Sequence, residues 1–195
     1  MVSDYAEGVV KLLVGGEARA VVTGHSNPYW MAVDKEGNIL VADSGNESPK
    51  VFSPEYTMLR EFKPGFRPLD VAIQSSGRLV VIGYAGQMAL LDLVTGADIR
   101  CLGCSGYVTT VGVAVDSEDR IYMTQHHGKK VVFTHDSQSL GTIGSIASLP
   151  VLDSAWGIKA VGGGKGVALY IAELGRVRLF PVEFELWAQF KQGRV

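Results

Sequence analysis

Hydrophobic residues along this chain come in short runs, each broken within a few positions by Gly, Asp, Asn or Ser. Runs of this length, rich in Val, Ile, Leu and Tyr and bounded by turn formers, predict β-strands. No stretch carries the sustained 3.6-residue period and the capping residues of a long helix. The pattern also recurs. Pro28-Tyr-Trp-Met-Ala-Val-Asp-Lys-Glu-Gly-Asn-Ile-Leu-Val-Ala-Asp43 is matched without a gap by Pro68-Leu-Asp-Val-Ala-Ile-Gln-Ser-Ser-Gly-Arg-Leu-Val-Val-Ile-Gly83, so Gly37 and Gly77 fall 40 residues apart. A third copy, Thr110-Val-Gly-Val-Ala-Val-Asp-Ser-Glu-Asp-Arg-Ile-Tyr-Met-Thr-Gln125, is offset by 42 residues at its alanine. A fourth, looser copy runs from Trp156 to Val161 and, after an inserted Gly162-Gly-Gly-Lys-Gly166, from Val167 to Glu173. Every copy is followed by an apolar pair: Val51-Phe52, Leu90-Leu91, Val132-Phe133 and Leu179-Phe180. A unit of several short strands recurring about every 40 to 47 residues has the period of a propeller blade.

Within a copy, two strands flank a turn, Asp34-Lys-Glu-Gly37 in the first and Asp116-Ser-Glu-Asp119 in the third. An Asp that opens such a turn accepts hydrogen bonds from backbone amides two residues on, and a closing Gly or Asp tolerates a left-handed backbone. Pro28 and Pro68 stand at the first residue of a strand, where a missing N–H does least harm. The apolar runs mix rather than alternate, as suits strands covered on both faces. Ahead of the first copy, Gly8-Val-Val-Lys-Leu-Leu-Val14 and Ala18-Arg-Ala-Val-Val22 flank Gly15-Gly16-Glu17 and predict a hairpin, equivalent to the last two strands of a unit. After the fourth copy, the segment 183–190 reads as an outer strand.

A chain of 195 residues with 47% hydrophobic content can bury a substantial core, which excludes a disordered chain. Its formal charge of −2 argues against a protein that grips bulk nucleic acid or anionic membrane through net charge, though it leaves room for a local basic patch. No apolar run reaches the length of a spanning helix and no signal-peptide pattern opens the chain, so no membrane role is expected. Two cysteines make no disulfide framework, and a reducing, cytoplasmic location is expected. Cys101-Leu-Gly-Cys104 lacks the second ligand pair of a structural zinc site and the βαβ setting of a redox pair; it reads as two small apolar residues at a sheet edge. The glycine-rich 162–166 segment is followed by strand-like residues rather than a Ser or Thr and a helix, so it reads as a long hairpin turn, not a phosphate loop. Adjacent His126 and His127 would point to opposite faces of a strand, which disfavours joint metal binding with His25 or His135. Asp34 and Asp116 are accounted for as turn caps. No catalytic residue, metal or cofactor is therefore assigned.

Asp34-Lys-Glu-Gly-Asn-Ile-Leu-Val-Ala-Asp-Ser-Gly-Asn46, continuing to Lys50-Val-Phe52, resembles the NHL repeat, as does Gly112-Val-Ala-Val-Asp-Ser-Glu-Asp-Arg-Ile-Tyr122. The resemblance covers about residues 25 to 190 and is specific in the first and third copies, weaker in the second and fourth. It implies an all-β fold: one β-propeller over 1–195, built of four-stranded antiparallel blades at 25–63, 65–104, 107–144 and 153–190, with a half blade at 8–23. About four and a half blades are then present, fewer than NHL propellers usually have. A piece of a longer protein is the expectation, with a small closed ring or a ring completed between chains as alternatives.

In such a blade the loop leading into the first strand and the loop joining the second to the third emerge at one end, because successive antiparallel strands reverse direction. These loops bring His25, Tyr29, Arg67, Tyr107 and Trp156, with Tyr84, His126, His127, Lys129 and Arg176, to one face as the candidate binding residues. Aromatic and Arg side chains dominate protein interfaces and also stack on unpaired bases. The resemblance extends to tripartite-motif NHL proteins, in which a terminal propeller binds RNA or a protein partner. No RING array of Cys and His occurs here, so ligase activity would lie outside this chain. A non-catalytic binding module for a protein partner, or for RNA, is expected. A lactonase-like or hydroxyglycine-lyase-like propeller enzyme with a metal in its central channel is the alternative, and a purely structural fragment is a third reading. Unpaired strands at open propeller edges would also favour self-association.

Overall fold

The computed structural model describes residues 1–96, 98–103, 109–125, 130–135, 138–143, 155–164 and 166–183. Their strands are all antiparallel and form five sheets in which spatial order follows chain order. The first holds β1 (Val2–Asp4), β2 (Val9–Val14) and β3 (Glu17–Val22). The second holds β4 (Pro28–Val33), β5 (Ile39–Asp43), β6 (Ser48–Phe52) and β7 (Met58–Glu61). The third holds β8 (Pro68–Ile73), β9 (Arg78–Gly83), β10 (Gln87–Asp92) and β11 (Asp98–Gly103). The fourth holds β12 (Thr110–Val115), β13 (Ile121–Gln125), β14 (Lys130–His135) and β15 (Gln138–Ile143). The fifth holds β16 (Gly157–Gly163), β17 (Gly166–Glu173) and β18 (Arg176–Glu183). Among the described residues, no helix is long and apolar enough to cross a membrane.

The chain falls into two compact units, Met1–Ile73 with Gly77–Thr110 and Gln74–Ser76 with Val111–Val195. In the first, β5 is buried along its whole length, and its alternating side chains serve two cores. Ile39 and Val41 pack with Val10, Val22 and Phe52. Leu40 and Ala42 pack with Val71, Leu79, Val81 and Leu91. That two-sided burial explains the unbroken apolar run in the sequence. In the second unit, Ala114 and Tyr122 pack against Leu169, Ile171 and Phe180. Arg120 Nε and the Tyr122 hydroxyl donate to Asp116 Oδ2 at 2.6 and 2.8 Å. Burial, and then the Asp116 carboxylate, push the Tyr122 phenol well above its usual range.

Both turn aspartates accept hydrogen bonds from backbone amides, but only Asp116 does so from two residues on, from Glu118 at 2.9 Å, while both accept from the residue four positions on. The Asn38 amide donates to Asp34 Oδ1 at 2.7 Å, and the Arg120 amide to Asp116 Oδ1 at 3.0 Å. Gly37 and Gly77 have φ of 85° and 79°, and Asp119 takes the same left-handed place at 61°. Gly37→Ala is therefore expected to cost about 1–2 kcal/mol, because a Cβ disfavours that backbone region. The Cβ would also stand 3.3 Å from Pro54 Cγ. The denaturant midpoint measures the loss, and an unchanged midpoint would contradict the turn assignment.

Two sequence expectations about the strands need amending. The N-terminal hairpin is not a two-stranded half blade, because β1 pairs with β2 through Ser3↔Val10. The glycines of 162–166 do not form a long turn. Gly163 pairs with Gly166, so the strands run on through the glycines to a two-residue connection. The absence of side chains lets this hairpin lie close to its neighbour: a Cβ on Gly163 would come 1.9 Å from Ser117 Oγ. The outer strand expected at 183–190 lies, apart from Glu183 at the end of β18, outside the described residues, as does Cys104.

Candidate functional site

In the second and third sheets, register places the start of the first strand beside the end of the second. Pro28 faces Asp43 and Pro68 faces Gly83. Tyr29 follows Pro28 directly, and Tyr84 follows Gly83. The β1–β2 turn adds Tyr5, whose ring meets that of Tyr29 edge-on with centroids 5.1 Å apart. The Ser3 hydroxyl donates to the Tyr29 carbonyl, which ties the first sheet to the second at this point. Burial first, and then the Tyr5 and Tyr84 groups beside it, keep the Tyr29 phenol protonated further into the alkaline range than usual. Three tyrosines from three sheets thus share one locality, yet remain 50% (Tyr5), 43% (Tyr29) and 60% (Tyr84) exposed. Rings that stay this accessible while partly ordered by one another lose little entropy on capturing a ligand.

Beneath this surface lies a buried polar latch. Asp43, at the end of β5, and His25, in the loop before β4, are 0% and 1% exposed in their side chains. A carboxylate only accepts, so His25 Nδ1 donates to Asp43 Oδ2 at 3.0 Å. The same oxygen accepts from Lys50 Nζ at 2.6 Å and Asn46 Nδ2 at 2.8 Å. The Ser26 amide donates to Oδ1 at 2.8 Å. Burial opposes ionisation of Asp43, but these four donors outweigh it and hold the carboxyl far below the usual range. Close backbone approach completes the latch. The Gly45 amide donates to the Ser26 carbonyl at 2.7 Å, where a Cβ on Gly45 would come 2.6 Å from the same oxygen.

The structure distributes the sequence candidates unevenly. Tyr29 and Tyr84 lie on the shared surface. Arg67 stands on the loop before β8, largely exposed, with its Nε 3.5 Å from Glu47 Oε1, a weak and solvated pair. His25 belongs to the interior rather than to the exposed face where it was expected, because Asp43 offers its imidazole a buried acceptor. In the second unit, Trp156 is half exposed just before β16. Arg176 Nε pairs at 2.8 Å with the buried Glu173, which Arg178 also meets. Tyr107, His126, His127 and Lys129 lie outside the described residues. Among the described residues no group of three or more His, Cys, Asp or Glu side chains is placed to hold a metal ion.

Sequence reasoning missed Tyr5, Asp43 and Lys50. One signal was available for Asp43: aligned copies put Asp43, Gly83, Gln125 and Glu173 at the same strand end. All but the glycine are buried polar groups. Tyr5 sits outside every repeat, and only the pairing of β1 brings it into place.

The fold and this arrangement define a propeller-type protein, an all-β chain of consecutive antiparallel sheets. Virginiamycin B lyase from Staphylococcus aureus is similar to it with a TM-score of 0.67 and 13% identity, over 91% of this chain and 64% of that one. The WD40 repeats of RRP9 are similar with a TM-score of 0.64 and 16% identity, over 80% of this chain and 50% of that one. U3-55K is similar with a TM-score of 0.60 and 15% identity, over 78% of this chain and 51% of that one. This chain thus spans less than two thirds of the length of each of these proteins. No protein-family model matches the sequence, and no curated protein does.

Proposed function

We propose that this chain is a non-catalytic, NHL-type propeller module of the cytoplasm that binds a protein partner through the Tyr5–Tyr29–Tyr84 surface. The observation that carries this reading is the convergence of three exposed tyrosines from three sheets, beside a latch that holds the loop leading into Tyr29. Tyr is enriched among the residues that dominate binding energy at protein interfaces. The structural neighbours include both a lyase and the WD40 repeats of RRP9, so the fold alone does not choose between functions and the reading rests on the site. A protein partner is favoured over RNA by the net charge of −2.

Proteins retained by the wild-type chain are compared with those retained by a Tyr29→Ala, Tyr84→Ala double variant. A partner that uses this surface should lose affinity by about 30-fold or more, equivalent to some 2 kcal/mol, while the melting temperature barely moves. A partner held equally by both chains would place the working surface elsewhere. Salt-sensitive retardation of a single-stranded RNA probe by the wild type, with no protein captured, would favour the RNA alternative instead.

A further inference from the structure

Taking the Tyr5–Tyr29–Tyr84 surface as the one a protein partner uses, we propose that it receives an arginine side chain of that partner, stacked on the tyrosine rings beside the acidic turn that carries Tyr5. Ring geometry is the first support. Tyr5 and Tyr29 meet at 71° with centroids 5.1 Å apart, so neither ring lies flat over the other. Tyr5, Tyr29 and Tyr84 are 50, 43 and 60% exposed. The face of an aromatic ring is negative in potential, and a guanidinium within about 6 Å of its centroid is attracted to it. Rings set steeply to one another expose differently directed faces, so a cation reaching this surface meets a ring face from more than one side.

Charge is the second support. Among the described residues at this end of the first unit, Lys11 Nζ lies 2.8 Å from Asp4 Oδ2 and 2.9 Å from Glu7 Oε2, two carboxylates to one ammonium. The other cations each have a carboxylate of their own: Lys50 has Asp43, Lys63 has Glu61 and Arg67 has Glu47. Asp70, buried in β8, adds a further carboxyl group. The surplus is therefore negative, and it reaches solvent at Glu7, whose side chain is 62% exposed on the turn that carries Tyr5. Asp4 fixes that turn in advance. Its Oδ1 accepts from the Ala6 and Glu7 amides at 3.1 and 3.0 Å, and its carbonyl accepts from the Gly8 amide at 3.0 Å. A turn ordered before the ligand arrives loses little freedom in binding it. Arginine is the side chain that uses both kinds of group, because a planar guanidinium stacks on a ring while its N–H donors reach a carboxylate. A lysine ammonium is a compact, strongly hydrated charge, and an apolar segment would strip water from Glu7 without replacing it.

The test titrates the whole chain with acetyl-arginine methylamide and, separately, with the citrulline analogue, which has nearly the same shape and no charge. Tyrosine ring signals in the NMR spectrum report binding. The arginine probe should shift the signals of Tyr5, Tyr29 and Tyr84 and bind about threefold to tenfold more tightly than the citrulline probe. Tyr29→Leu should lose most of that preference, and Tyr29→Phe, which keeps the ring, should recover most of it. Glu7→Gln should weaken arginine binding about twofold and flatten its salt dependence, with the citrulline probe unaffected. Melting temperatures establish that the variants are folded, and Tyr84→Leu is the second probe should Tyr29→Leu unfold. Equal affinity for the two probes, or tyrosine signals that neither probe moves, would overturn the proposal. If the probes act alike while a captured protein is still lost from the Tyr29→Ala, Tyr84→Ala chain, the protein-binding surface stands and the arginine site falls. Arginine preference at the tyrosines without any protein that depends on them supports the cation site and refutes the protein partner.

Discussion

Replacing Asp43 with Ala is expected to lower the stability of the folded chain by about 3–5 kcal/mol, the cost of removing one partner from a buried ionic network. The carboxylate is fully buried and satisfies His25, Asn46, Lys50 and the Ser26 amide together. Its loss leaves the Lys50 ammonium without its anion and the His25 N–H without an acceptor. Two segments should loosen together, the loop before β4 and the 3-10 turn Ser44–Asn46. Chemical denaturation measures the energy, and hydrogen exchange should quicken in both segments.

The same site makes part of the stability depend on pH, with a definite sign. The folded-state pKa of Asp43 is depressed, so its contribution is complete above the ordinary carboxylate value of about 4. The contribution declines as pH falls below that value toward the depressed one. Asp43→Asn keeps a side chain of similar size and removes the titration. The stability gap between wild type and Asp43→Asn should therefore be constant near neutrality and narrow progressively below about pH 4. A gap that stays constant to strongly acidic pH would show that the ionised carboxylate is not what the latch depends on.

Gly8→Ala is expected to cost about 2–4 kcal/mol, from two penalties that add at one position. Gly8 has φ of 67°, in the left-handed region, and a Cβ there would stand 2.4 Å from the His25 carbonyl oxygen. The Gly8 carbonyl also accepts from the His25 amide at 3.1 Å, so backbone lies against backbone with no flexible side chain to yield. The substitution should unsettle the β1–β2 turn that carries Tyr5 and the latch that carries His25. Gly15→Ala is the control, since it shares the positive φ and meets nothing within 4 Å. Its cost should be the backbone penalty alone, and equal losses from the two variants would show that the close approach at Gly8 is unimportant.

Local chemistry by itself determined much of this protein. Strands, their turns and their antiparallel order follow from residues close in the chain. Asp34 with Gly37, and Asp116 with Asp119, lie three positions apart within one turn, and Pro28 and Pro68 begin strands because proline lacks a donor. The repeat also determined that β5 would be buried on both sides, because a run from Ile39 to Ala42 has no polar face to offer water. The same repeat placed Tyr29 and Tyr84 at one end of their sheets by strand reversal alone. What only the tertiary structure decided depends on segments far apart in sequence. Tyr5 joins Tyr29 because β1 pairs with β2 and lies beside β4, and no periodic signal marks a three-residue strand. His25 turns inward because Asp43, from a later segment, offers it a buried oxygen on which Asn46 and Lys50 also converge. A loop histidine near Ser and Asn reads as exposed until that acceptor is in place, since burial is a property of what packs around a residue and not of its neighbours in the chain.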